Sequence, residues 1–239
     1  MYYLKTFETT EEYNKNKSSL IYPNVSLTKD DNCLHFKMLV YVDLGLSSGT
    51  LWMKYNIGAT SETDYGLYFQ WGDTVGYTGD EAKAHSSWST CPGNGGNSSY
   101  NSTSIATWDS TNLTNGVLKT DVDAAYVHTN GIAKMPTLTQ CQELLDETNH
   151  SWVTNYNGTG INGMKFVSKG DSSKYIFIPA SGNAWDGSFF NVGHFGYLWS
   201  SSVSTSGAQY AYGLSFDSDF YAVGSYYRDG GMCVRGVVI

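Results

Sequence analysis

With 239 residues, 41% of them hydrophobic and only 15% charged, the chain is long and apolar enough to bury a core and is no disordered polymer. Its net charge of −8 argues against a nucleic-acid partner, because neutralising phosphates takes clustered Lys and Arg. No apolar run approaches a membrane span, and the N-terminus lacks the apolar segment of a secretion signal, so neither is expected.

Thr9 and Glu12 form a TxxE capping pattern that predicts a short charged helix ending near Ser18 to Leu20, closed by Pro23. Residues 25–27 and 34–41 carry the alternating and β-branched apolar residues of strands. Because the first 37 residues are richer in Lys and Glu than the rest of the chain, they read as a small N-terminal module, 1–37, ahead of a main domain at 38–239. From Val42 onward, apolar pairs punctuated by Gly45, Gly49, Gly58, Gly66 and Gly72 predict short strands and tight turns. Residues 78–115, rich in Ser, Asn, Thr and Gly, read as a long irregular loop. The clearest helix follows Pro136: Thr137 is its N-cap, Gln140 completes a capping box, and Leu138, Cys141, Leu144, Leu145 and Thr148 share one face, with Asn149 as terminator. GMKFVS and KYIFIPA then read as strands, and the tail offers short strands at 197–200, 211–216 and 232–238. The sum is an α+β chain, loop-rich, with short antiparallel strands and few helices.

The tail from 197 to 239 has no lysine and no glutamate, although it holds the chain's only arginines, Arg228 and Arg235. Tyr, Gly, Ser and Asp crowd it instead, the residues of a recognition surface in which rigid amphipathic rings sit among small polar groups. The arginines read as structural, each with five donors able to tie loop carbonyls and an aspartate together. Asp217, Asp219 and Asp229 lack the glycine and terminal glutamate of an EF-hand loop, and the five histidines show no HxxxH or HExxH pairing. Neither a metal site nor a cofactor is expected. Four cysteines, Cys33, Cys91, Cys141 and Cys233, stand without a CxxC pair and read as packed thiols. A Cys–His nucleophile built from Cys141 or Cys91 with His85, His128 or His150 stays open, since such partners meet only in space.

Taken in order, VDLGLSSGTLW, NIGAT, DYGLYFQWGD, DAAYV, KMPTLTQCQELL, YIFIPASG, NVGHFGYLWSSS and CVRGVVI resemble a domain of gut Bacteroidetes and their phages over residues 42–239. That domain is a C-type-lectin-like fold of the formylglycine-generating-enzyme-like subclass. The leading FETTEEYN and LIYPNVSL resemble segments of phage tail-associated proteins. The fold group includes the variable proteins of diversity-generating retroelements, whose C-terminal region is rewritten at the adenines of AAC codons. Such rewriting yields Tyr, Asp, Ser, Gly, Phe, Asn, Ala or Val among others but never Lys, Glu, Gln, Met or Trp; the tail's composition fits this if its exceptions, Trp199, Gln209 and Met232, are fixed scaffold residues. The related oxidase needs a close cysteine pair near its C-terminus, and Cys233 has no neighbour. The calcium- and sugar-binding triplets of true C-type lectins, Glu-Pro-Asn and Trp-Asn-Asp, are absent as well.

The resemblance implies a fixed scaffold of Leu198, Trp199, Ser200, Ala211, Tyr212, Leu214, Phe216, Arg228, Gly231, Val234 and Arg235. The diversified, ligand-binding positions it implies are Gly213, Ser215, Asp217, Asp219, Phe220, Tyr221, Gly224, Ser225, Tyr226, Tyr227, Asp229 and Gly230, with Tyr226 and Tyr227 the leading contacts. Along 211–217, Ala211, Leu214 and Phe216 suit a strand face on the core, and Gly213, Ser215 and Asp217 one turned toward a ligand. The expectation is a non-enzymatic receptor-binding protein, carried by a phage virion or present in the cytoplasm during assembly, that attaches to a protein or glycan on a bacterial surface. Residues 1–37 would join other tail proteins. Two alternatives stay open: a fixed-sequence bacterial adhesin or polysaccharide-binding domain, and an oxidase or hydrolase with degenerate motifs.

Overall fold

The computed structural model describes residues 25–30, 33–38 and 40–239. The expected helix after Thr9 and its closure at Pro23 lie outside the described residues. The chain divides into two compact units, Met1–Val40 and Tyr41–Ile239. In the first, strands Val25–Asp30 and Cys33–Met38 pair as an antiparallel hairpin in the register Val25↔Met38 to Asp30↔Cys33.

The second unit is mixed α+β, mostly strands with four helices among the described residues. Its first and last strands flank a common partner: Val237–Val238 pairs with Leu51–Met53, which pairs in turn with Tyr41–Asp43. A second three-stranded antiparallel sheet is built from Thr148–Val153, Gly163–Ser168 and Tyr175–Pro179. The largest sheet has seven strands, and its main path runs Tyr221–Tyr227, Tyr210–Phe216, Gly196–Val203, Met232–Cys233, Tyr68–Phe69. Its Gly196–Val203 strand pairs antiparallel with Tyr210–Phe216 and parallel with Met232–Cys233.

The helix expected after Pro136 spans Leu138–Glu147, and the predicted capping box is present. Thr137 accepts from the Gln140 amide while Gln140 Oε1 accepts from the Thr137 amide at 2.9 Å, satisfying two donors that a helix start leaves free. Its buried face of Cys141, Leu144 and Leu145 joins Leu198, Leu214, Phe216 and Phe166 in the core. The helix ends at Glu147 with Thr148 as C-cap, one residue before the expected terminator, because Thr148 opens the next strand.

The expectation of an irregular loop over 78–115 is corrected. Helices Gly79–Ala84 and Ser102–Asn112 form there. The second is polar nearly all round and buries Ile105, so apolar periodicity could not reveal it. The loop before it is organised by the buried Asn94 side chain. Its amide donates to the carbonyls of Trp88, Asn97 and Ser99, and its Oδ1 accepts from the Asn101 amide.

A further correction concerns the tail. The segment Tyr221–Tyr227, which is not among the expected strands, is a seven-residue strand at the edge of the large sheet, in the register Tyr210↔Tyr227 to Phe216↔Tyr221. Its rings are therefore placed by a hydrogen-bonded ladder rather than by loop packing.

Candidate ligand-binding site

Strand alternation sorts the hairpin of Tyr210–Phe216 and Tyr221–Tyr227 into two faces. Leu214, Phe216, Val223 and Tyr221 share the face on which the Leu138–Glu147 helix packs. Phe216 meets Phe166 edge-on, and the Tyr221 ring meets His150 edge-on at 4.1 Å. Ala211, Gly213, Ser215, Ala222, Gly224 and Tyr226 take the opposite face, beside Tyr197 and Trp199 of the neighbouring strand.

On that second face Gly213 and Gly224 stand directly opposite each other, and the Tyr226 ring lies over both. A Cβ at Gly213 would stand 2.9 Å from the Leu198 carbonyl oxygen and 3.2 Å from the Tyr226 ring; one at Gly224 would stand 2.9 Å from the Tyr226 hydroxyl. Paired glycines thus make a flat bed that a cross-strand ring fills. Laid along the bed, Tyr226 donates its hydroxyl to Ser215 Oγ at 2.6 Å. Burial, partly offset by Ser215, raises its phenol pKa.

Around this ring is an open cleft of ≈ 290 Å³. Tyr226, Gly230 and Met232 line it together with Asn183, Trp185, Tyr197 and Tyr227. Tyr197 stands edge to face with Tyr226 at 80° and 5.6 Å, forming a corner. Trp185 and Tyr227 are 44% and 46% exposed, so large ring areas face solvent. Tyr227 packs against Tyr210 across the ladder at 4.6 Å and meets Trp88 edge-on.

Trp185 comes from a hairpin outside the tail, Asn183–Trp185 with Ser188–Phe190. Asp186 and Gly187 turn it with φ of 45° and 76°, the two positive values a two-residue type I′ turn requires. Trp185 was not among the expected contacts, although an Asp-Gly pair between apolar residues is a legible hairpin signal. The hairpin is held by reciprocal bonds between the Ala184 and Gly231 backbones.

The structure splits the twelve expected contact residues. Tyr226, Tyr227 and Gly230 line the cleft. Asp217, Asp219, Phe220 and Tyr221 form the turn at the far end of the hairpin, where Asp217 Oδ1 accepts from the Asp219 and Phe220 amides at 2.7 Å each. Phe220 and Tyr221 are about half exposed there (51% and 50%). Ser225 is half-buried, its hydroxyl shared with Ser204 at 2.7 Å. Gly213, Ser215, Asp229 and Gly230 are buried, which corrects their placement in an exposed register. For Gly213 and Ser215 the reason is that both faces of the Tyr210–Phe216 strand are covered, one by the helix and the other by Tyr226 and Met232; Asp229 and Gly230 lie in the turn that follows Tyr227. Ala211, expected on the same face as Leu214 and Phe216, lies instead with Gly213 and Ser215.

Both arginines of the tail are fully buried. Arg228 makes a bidentate pair with Asp109 at 2.7 and 3.0 Å and stacks 4.5 Å from the Trp71 ring, which fastens the Ser102–Asn112 helix to the end of the edge strand. Arg235 donates to Asn56 Oδ1 and the Phe177 carbonyl, and burial lowers its pKa to about 9. Every residue of the expected scaffold is buried except Tyr212, which is half-buried and shares a 2.8 Å hydrogen bond with Thr205. Asp229 is 3% exposed, and its Oδ1 has no hydrogen-bond partner among the described residues. Burial pushes its carboxyl up to about 6, against hydrogen bonds from its own amide and the Trp185 side chain.

The thiols are packed. Cys91, Cys141 and Cys233 are buried and free, and burial raises all three, Cys141 and Cys233 to about 12. The histidines named with them are engaged elsewhere: His85 stacks on Tyr77, His128 contacts the Thr74 carbonyl, and His150 meets Tyr221. Among the described residues no group of three or more His, Cys, Asp and Glu side chains is placed to hold a metal ion. No helix among them is long and apolar enough to cross a membrane. The chain matches no family model, no curated protein and no solved structure.

Proposed function

We propose that this is a ligand-binding protein with a C-type-lectin-like fold, presenting an aromatic C-terminal surface that attaches a phage particle to a bacterial surface target. The observation that carries the reading is the cleft: four aromatic side chains, Trp185, Tyr197, Tyr226 and Tyr227, converge on ≈ 290 Å³ of open space, on a scaffold buried at every expected position but Tyr212. Rigid rings on a hydrogen-bonded sheet lose little entropy on binding, and their contacts can change without disturbing the core. The joining of the domain's first and last strands in one sheet, through Leu51–Met53 between them, supports the fold assignment.

Diversification would act on the positions whose side chains reach solvent, Asp219, Phe220, Tyr221 and Tyr227, whereas Gly213 and Gly224 are held by the Tyr226 ring. Two measurements test the reading. A reverse-transcriptase gene beside this one, with a near-copy of its 3′ end differing only at adenines, is expected; its absence removes diversification and leaves a fixed-sequence adhesin. Purified protein is expected to adsorb to cells of some gut Bacteroidetes strains, and the Trp185→Ala, Tyr227→Ala double variant to lose that adsorption with its fold intact. Undiminished adsorption by the double variant would sink the cleft as the attachment site.

A further inference from the structure

The rings of the cleft belong to a stretch of chain whose charged groups at the surface are mainly acidic. From Tyr175 to Ile239 the sequence contains no lysine, and its only arginines, Arg228 and Arg235, are fully buried. The same stretch carries Asp186, Asp217, Asp219 and Asp229, with His194 as its one exposed base. These carboxylates are not remote. Burial raises the Tyr197 phenol and the negative charge of Asp217 adds to the shift; Tyr210 raises the Tyr227 phenol, with Asp229 adding to it. Asp186 forms the turn immediately after Trp185, and Asp229 immediately precedes the cleft residue Gly230. Asp229 also brings a second, independent feature: a carboxylate 97% removed from solvent with one oxygen unpartnered among the described residues. A buried, ionised and incompletely hydrogen-bonded carboxylate costs the free protein energy that a nearby positive ligand offsets.

Ring faces carry negative quadrupole potential and attract cations, most strongly where carboxylates stand behind them. We infer that the cleft takes an organic cation, an alkylammonium or guanidinium group, seated in the corner of Tyr197 and Tyr226 between Trp185 and Tyr227 and held electrostatically by Asp186, Asp217 and Asp229. This rests on the reading of the cleft as the attachment site and specifies its ligand class. A bacterial surface can present such a group as a lysine or arginine side chain of a protein or as the free amine of an amino sugar.

The test is titration calorimetry of the full chain with paired probes: a tri-lysine peptide and its acetylated form, and a glucosamine tetramer and its N-acetylated form. At least one amine is expected to bind, its acetylated partner to bind roughly 3- to 30-fold more weakly, and affinity to fall as salt is raised. Which amine binds identifies the source as peptide or glycan. Tyr227→Ala and Asp217→Asn should each weaken amine binding, with thermal melting confirming that both variants fold. Equal binding of amine and acetylated probes, or binding of neither, would overturn the cation assignment. The cell-adsorption result separates the two readings: adsorption that depends on Trp185 and Tyr227 while no amine binds leaves the attachment site standing and removes only its ligand class.

Discussion

The two faces of the Tyr210–Phe216 and Tyr221–Tyr227 hairpin are built on opposite uses of volume. Toward the Leu138–Glu147 helix, Leu214 and Phe216 fill space and are fully buried. On the other side, Gly213 and Gly224 withhold volume so that one ring, Tyr226, can lie flat and serve as the floor of the cleft. The first face contributes stability through transfer of apolar area, and the second trades that contribution for a surface. Substitutions should therefore divide by face rather than by position in the tail.

The strongest test of that division is Phe216→Ala. The side chain is 0% exposed and packs edge-on against Phe166, so its removal should cost about 3–5 kcal/mol in chemical denaturation. A loss below about 1 kcal/mol would mean that the helix-facing side is no more a core than the other.

Next in size is Asp229→Asn. Burial pushes the Asp229 carboxyl up to about 6, above its ordinary 3.8, so between about pH 4 and pH 6 the folded protein keeps a proton that the unfolded chain gives up. Stability from this group is full below that window and falls as pH rises through it, by on the order of 2–3 kcal/mol. The uncharged amide should raise the melting temperature at pH 7.5 and flatten the decline between pH 4 and 6. A variant less stable than the parent at pH 7.5 would show that the charge itself supports the free protein.

The same contrast decides what could be read from the sequence. The helix-facing residues announced themselves: Leu138, Cys141, Leu144 and Leu145 at helical spacing, with Thr137 and Gln140 capping, predict a helix and its buried side together. Leu214 and Phe216 did the same for a strand. The cleft was legible only in composition. A ring over two glycines leaves no apolar periodicity, so Tyr221–Tyr227 was not among the expected strands, and Gly213 and Gly224 read as free positions when the Tyr226 ring constrains both. Trp185 lies outside the tail whose composition drew attention, although its Asp-Gly turn was visible. The pairing of Arg228 with Asp109 could not be foreseen, because 119 residues separate them and the helix bearing Asp109 is polar nearly all round.

Within the cleft face, Tyr226→Phe separates floor from fill. The phenol donates to Ser215 Oγ at 2.6 Å, and Ser215 is 2% exposed, so deleting the hydroxyl strands a buried acceptor. The expected cost is about 1–2 kcal/mol, and the double change Tyr226→Phe with Ser215→Ala should recover most of it, since removing both partners leaves nothing unsatisfied. Equal losses in single and double variants would show that the hydrogen bond does not hold the ring on its bed.

The smallest stability effect, and the one that bears most on function, is expected for Tyr227→Ala. Tyr227 is 46% exposed, and its packing is a cross-strand pair with Tyr210 at 4.6 Å plus an edge contact with Trp88. Such pairs contribute roughly 0.2–1 kcal/mol, so the melting curve should move little. Its ring nonetheless forms one wall of the cleft, and desolvated aromatic anchors dominate binding energies at such sites. Adsorption to target cells should therefore fall far more than stability does. By strand alternation Tyr227 shares the face of Phe216, at the exposed end of the strand, so the reverse result, a large loss of stability with adsorption unchanged, would make its ring a core residue like Phe216 and remove it from the walls that bind.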